Sequence, residues 1–107
     1  MRFFNKEQIL ENVTDHFASR GYEDETYALA DECIDLAEEW ANNYDGDPST
    51  KNKRQLRLEL RKYIKSKIDL EDYKKAYFLP TFIWVWLAQQ IIGWIVKFII
   101  DQYTEQI

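Results

Sequence analysis

Residues 78–100, FLPTFIWVWLAQQIIGWIVKFII, carry no acidic side chain and a single cation, Lys97. Wound into an α-helix at ~1.5 Å per residue they reach ~34 Å, close to the ~30 Å hydrocarbon thickness of a bilayer. A helix of that composition does not stay in water on all sides, because each large apolar side chain left exposed forfeits about 1.5–3 kcal/mol of burial. The rest of this chain is organised by where the segment goes.

Pro80 suits a first helical turn, where its missing N–H has no partner to lose, so a helix beginning at Leu79 or Pro80 is expected. Steps of 100° place Gln89, Gln90, Gly93, Lys97 and Asp101 on about a third of the wheel, with Ile83, Leu87, Ile91, Ile95, Phe98 and Ile99 elsewhere. Lys97 and Asp101, four apart, can pair along that polar stripe.

Three surroundings suit such a helix. The first is a membrane span: mean hydropathy over residues 82–100 is about 1.7, at the lower edge for spanning. Gln89 and Gln90 would then hydrogen-bond to a neighbouring span, with Gly93 permitting close approach. Tyr73, Tyr77 and Tyr103 fall at the two edges, where rings with a polar tip are favoured, but Trp84, Trp86 and Trp94 do not all do so. The second is a helix lying flat on a membrane, for which one cation on a narrow polar face is too few. The third is the inside of a protein assembly, where Gln and Lys fix the register between protomers.

The segment before it is charged, in blocks. Residues 1–47 hold thirteen acids against three bases, and residues 48–77 hold ten bases against four acids. The division expected is therefore an acidic then basic helical domain over 1–77, and an apolar helix over 78–107 that serves as membrane anchor or oligomerisation element. Acidic and basic helices can pack with their solvated faces cancelling. Alternatively Arg61, Lys62, Lys65, Lys67, Lys74 and Lys75 form a juxtamembrane cluster that attracts anionic lipid or an acidic partner. The cations all precede the apolar stretch, so a spanning helix would leave the amino-terminal part cytoplasmic. One cysteine, Cys33, excludes an intrachain disulfide, and Met1-Arg2-Phe3-Phe4 leads at once into polar residues rather than a signal peptide.

Helical periodicity predicts an all-α chain with three or four helices before the apolar one. Asn5 is a cap with Gln8 in the capping-box position and Phe4 as a staple; Ile9, Leu10, Val13 and Phe17 form a stripe, and Gly21 ends the helix. A second helix is expected over residues 24–42, with Tyr27, Ala30, Cys33 or Ile34, Ala37 and Trp40 inward and an acidic outer face. Residues 42–53 gather Asn, Asp, Gly, Pro and Ser into a loop. The third helix, residues 53–66, turns Leu56, Leu60, Tyr63 and Ile64 inward and Arg54, Arg57, Arg61, Lys62 and Lys65 outward. Asp69 caps a short fourth helix that includes Tyr73, Ala76 and Tyr77.

Catalytic chemistry finds little footing. His16, the only histidine, reads as a helix-flank residue, because a triad would need Ser19, Ser49 or Ser66 brought to it without a nucleophile elbow. Cys33 falls on an apolar face as a small core residue. One Cys and one His cannot make a structural zinc site, and Asp45-Gly46-Asp47 lacks acids at the first and twelfth positions of a calcium loop. No cofactor is indicated. The cations of the third helix could contact phosphates, but the acidic head and the lack of any recognition motif disfavour nucleic acid as a partner.

The small size, the usage of Asn, Lys, Ile and Tyr, and the lack of enzyme motifs resemble short accessory or virion proteins of bacteriophages, a likeness of composition that rests on no motif. The function expected is non-enzymatic: a small membrane-associated protein, anchored and assembled as a homo-oligomer through its carboxy-terminal helix. The alternative is a soluble or virion structural subunit, cytoplasmic or in a particle, whose apolar helix packs between protomers. Phe82, Trp84, Trp86, Ile91, Trp94, Ile95 and Phe98 would supply apolar contact, and Gln89, Gln90, Gly93 and Lys97 specific pairing.

Overall fold

Most helix starts lie where the side chains marked them. The Asn5 Oδ1 accepts from the Gln8 N–H at 3.2 Å, the Asn52 Oδ1 from the Gln55 N–H at 2.8 Å, and the Asp69 Oδ1 from the Glu71 N–H at 3.0 Å. Each satisfies one of the amide donors that a helix leaves unpaired at its first turn. The backbone carbonyl of Pro80 accepts from the Ile83 and Trp84 amides at 3.1 and 3.2 Å, which opens the last helix. The computed structural model describes residues 5–18, 21–44, 52–77 and 79–105. They form α1 (Lys6–Ala18), α2 (Glu23–Asn42), α3 (Lys53–Lys67), α4 (Leu70–Ala76) and α5 (Thr81–Glu105), with no strand among the described residues. The fold is all-α.

Helix α5 starts one residue beyond Pro80 and runs for 25 residues. At ~1.5 Å per residue that length accounts for most of the 43 Å long axis of the molecule. It packs chiefly on α2 and α3, and more lightly on α1 and α4. Trp84, Leu87, Ile91, Ile95 and Ile99, spaced three and four apart, have no exposed surface at all. Ala88, Ile92, Val96 and Ile100 beside them are also buried, so the covered face is wide.

The other helices supply the complementary stripes. Ile9, Val13 and Phe17 come from α1, Leu29, Ala30, Cys33, Ile34 and Ala37 from α2, and Leu56, Leu60 and Ile64 from α3. All belong to one cluster with the inner face of α5, so residues on both sides of position 78 share one core. Helices α1 and α2 form a hairpin whose connection passes through Gly21 at φ +80°, a left-handed conformation that side chains with a Cβ resist. Helices α1 and α3 pack on different flanks of the α2–α5 pair.

Two inward assignments in α2 and α3 differ from expectation. Tyr27 is 53% exposed, while Thr26 and Leu29 take the inner positions with no exposed surface. With Ala30, Cys33 and Ala37 at the middle of the buried stripe, residue 27 sits at its edge, and a phenol accepts water more readily than Leu29 would. Tyr63 is likewise only half-buried beside Leu60 and Ile64. Residues 45–51, with the Asp45-Gly46-Asp47 turn, lie outside the described residues, as do Phe4 and Ser19.

Candidate functional site

The apolar residues expected to meet lipid or another protomer divide by burial. Trp84, Ile91 and Ile95 are spent on the chain's own core, with no exposed surface. Trp86, Gly93, Trp94 and Phe98 are half-buried along its margin. Trp94 stacks on Phe98 with ring centroids 5.2 Å apart and planes 11° from parallel, and its other neighbour is His16 of α1 at 6.4 Å. Phe82, 72% exposed, stands free at the start of α5 with Val85 at 43%. Gln89, Gln90 and Lys97 face solvent, so the polar stripe forms the wet side of the helix. Asp101 reaches across to Lys53 of α3 at 3.5 Å.

Gly93 provides a close approach, but to the chain itself: a Cβ there would lie 3.0 Å from a terminal guanidinium nitrogen, Nη2, of Arg61. Arg61 belongs to a seam between α3 and α5. One end is a depression of about 180 Å³ lined by Arg54, Arg57, Leu58, Arg61, Gly93 and Val96. The other end, about 190 Å³, is lined by Lys65, Ile68, Leu70, Val85, Ala88, Gln89 and Ile92. The floor is apolar and one wall is cationic.

The six cations expected to act together are not equivalent. Arg61 and Lys65 line the seam. Lys62 and Lys75 are exposed. Lys67 lies 5.7 Å from the centre of the Tyr63 ring, and Lys74 pairs with Glu71 at 2.7 Å. Arg54, Arg57 and Leu58 complete the seam without having been singled out as a site. Their spacing with Arg61 and Lys65 was visible as the outer face of α3, and Leu58, 52% exposed among them, lies on that same face, two residues from both Leu56 and Leu60.

The opposite flank is acidic. A groove of about 320 Å³ between α1 and α2 is lined by Glu7, Leu10, Glu11, Thr14, Asp15, Glu23 and Tyr27. Farther along α2, Lys6 bridges Asp31 at 2.8 Å and Asp35 at 2.7 Å, and those two hydrogen bonds raise its pKa. Beside α4, the Tyr73 hydroxyl donates to Glu32 Oε2 and lies 3.5 Å from the Ala28 carbonyl. Its ring meets Trp84 at 5.5 Å. Burial first, and then the Glu32 carboxylate, push the Tyr73 phenol well above its ordinary value. Burial does the same to the Cys33 thiol, which lies in the core of α2.

Among the described residues His16 and Ser66 lie apart from any nucleophile–base pair. His16 is exposed, with its ring edge-on to Phe17 at 4.9 Å. The Ser66 hydroxyl donates to the Tyr63 carbonyl at 2.7 Å within its own helix. Among the described residues no three His, Cys, Asp or Glu side chains gather as metal ligands would. The surface carries a cationic seam and an acidic groove on different flanks. The chain matches no family model, no curated protein and no solved structure.

Proposed function

We propose that this chain is a non-enzymatic assembly protein that works in solution as a structural subunit, with α5 serving as the internal core of each protomer. The observation that carries the reading is the orientation of α5. Trp84, Leu87, Ile91, Ile95 and Ile99 are fully enclosed by the chain's own helices, while Gln89, Gln90 and Lys97 meet water. A lipid-facing helix would need the reverse, because an amide or ammonium in hydrocarbon is costly and large apolar side chains there cost nothing. The exposed charged flanks, each with an apolar side chain at its centre, suit contact between subunits.

A second reading has its own support. Residues Thr81–Gln102 are long and apolar enough to cross a bilayer, with mean hydropathy 1.7 and half of that window buried in the fold. The exposed Phe82 and Val85 would lead such an insertion, with α5 leaving the other helices.

The two readings separate by fractionation at neutral pH. The untagged chain is expressed, and lysate is centrifuged without detergent and then partitioned between aqueous and detergent phases. Recovery in the aqueous phase is expected. Sedimentation with membranes and release only by detergent would overturn the soluble reading. Neutral pH matters because burial raises Cys33 and Tyr73 in the folded chain, so alkali lowers its stability. Gln90→Leu adds a control: it leaves a water-exposed position of a soluble subunit almost unchanged but would strengthen insertion of a span.

A further inference from the structure

The two charged flanks match each other. On one, Arg54, Arg57, Arg61 and Lys65 border the α3–α5 seam, with Leu58 protruding among them and Val85 farther along. None of these four cations makes an ion pair among the described residues. On the other, Glu7, Glu11, Asp15 and Glu23 border the α1–α2 groove around Leu10 and the protruding Tyr27. These four acids are also without an ion pair among the described residues.

Within one chain the flanks cannot neutralise each other, since α1 and α3 sit on different sides of the α2–α5 pair. Leaving both unpaired costs little in dilute salt solution, but it creates two complementary fields on one surface. Three of the four large hydrophobic side chains exposed among the described residues, Tyr27, Leu58 and Val85, lie within these two flanks. An apolar centre inside a charged border is the anatomy of an interface, where burial supplies affinity and charge sets register and partner.

We propose that the α3–α5 seam of one copy receives the α1–α2 acidic groove of a second copy, with Tyr27 seated on the apolar floor near Leu58 and Gly93. The surfaces that meet are different on the two copies, so the contact is head-to-tail. Such a contact leaves a free seam at one end and a free groove at the other, and therefore grows into a ring or a filament rather than stopping at a dimer. The inference rests on the soluble reading above and names the partner as the chain itself.

The test is sedimentation velocity on the full chain, over a wide concentration range, at ~50 mM and ~500 mM NaCl. The shielding length falls severalfold in that interval. The expected result is growth beyond dimer at low salt, with at least a tenfold weaker association at high salt. Two variants remove one flank each: Arg57→Gln with Arg61→Gln, and Glu7→Gln with Glu11→Gln. Each alone should associate at least tenfold more weakly while keeping the wild-type thermal melt. Mixed together, they retain one intact seam and one intact groove, so they should form a 1:1 pair of about twice 13.0 kDa that does not grow. A monomer at every salt concentration overturns the proposal, as does association that neither variant weakens, or a mixture that fails to pair. Insolubility without detergent would instead sink the soluble reading, so the two failures are distinguishable.

Discussion

The Arg61 guanidinium lies over the backbone of α5 at Gly93, so near that a methyl group in place of the glycine hydrogen would come within 3.0 Å of Nη2. A small residue in an apolar helix thus makes room for a cation from the chain's own α3. The atom that would be crowded is the far end of a flexible side chain.

Gly93→Ala is therefore expected to be close to neutral or mildly stabilising. Alanine gains roughly 0.8–1 kcal/mol of helix propensity over glycine, offset by moving the guanidinium. Thermal melts should shift by a few degrees at most. Destabilisation beyond about 2 kcal/mol would mean that the glycine accommodates rigid backbone.

Ile91 tests the enclosure of α5. With no exposed surface, Ile91→Ala should cost about 2–5 kcal/mol through lost burial and the cavity left behind. Ile91→Asp should leave an unfolded chain, because its carboxylate would be buried without a partner. Circular dichroism and urea titration read both. A fully folded Ile91→Asp variant would show that α5 is not enclosed.

Stability should fall in alkali. Cys33 and Tyr73 have ordinary values of 9.0 and 10.0 and are both raised in the folded chain. Above those values the folded chain holds protons that the unfolded chain releases, so stability declines as pH rises. Their contribution is intact below about pH 9 and then falls by up to about 1.4 kcal/mol per pH unit for each group. Melting temperature should be nearly level from about pH 7 to 8.5 and drop above 9. Cys33→Ala should remove the earlier part of the decline and Tyr73→Phe the part above about 10. A melting temperature unchanged up to pH 11 in the wild type would contradict this account.

The Cys33 thiol should resist a water-soluble thiol reagent in the native chain and react fully in denaturant, since the thiolate is the nucleophile and burial disfavours it. Rapid labelling under native conditions would place the α2 face in solvent. Cys33→Ser should cost about 1–3 kcal/mol, because the hydroxyl would join Thr26 Oγ1 among buried oxygens without a partner.

Tyr73 ties α4 to the body of the fold through Glu32 and Trp84. Removing its hydroxyl in Tyr73→Phe should cost about 1 kcal/mol at neutral pH, less than a fully buried bond to a carboxylate because both side chains are half-exposed. Tyr73→Ala should cost more and raise solvent quenching of the Trp84 fluorescence. Equal melts for the Phe and Ala variants would show that the ring contact contributes nothing.

Periodicity, with capping at some starts, was enough to place the helices, because both act over three or four residues. Asn5, Asp69 and Pro80 mark starts by satisfying or removing amide donors, and Gly21 marks a stop by its backbone freedom. The polar stripe of Gln89, Gln90 and Lys97 was legible for the same reason, as was the inner face of α3 through Leu56, Leu60 and Ile64. What the stripe faces could not be read from spacing. A helix apolar on most sides satisfies the same pattern in lipid, between protomers or inside its own fold, since all three remove apolar surface from water. Only the tertiary arrangement set the small stripes of α1, α2 and α3 against Trp84, Ile91 and Ile95, turned Tyr27 outward, and placed the cationic and acidic flanks apart. Those relationships depend on residues tens of positions distant in the chain, and burial is a property of what the rest of the molecule brings to a side chain.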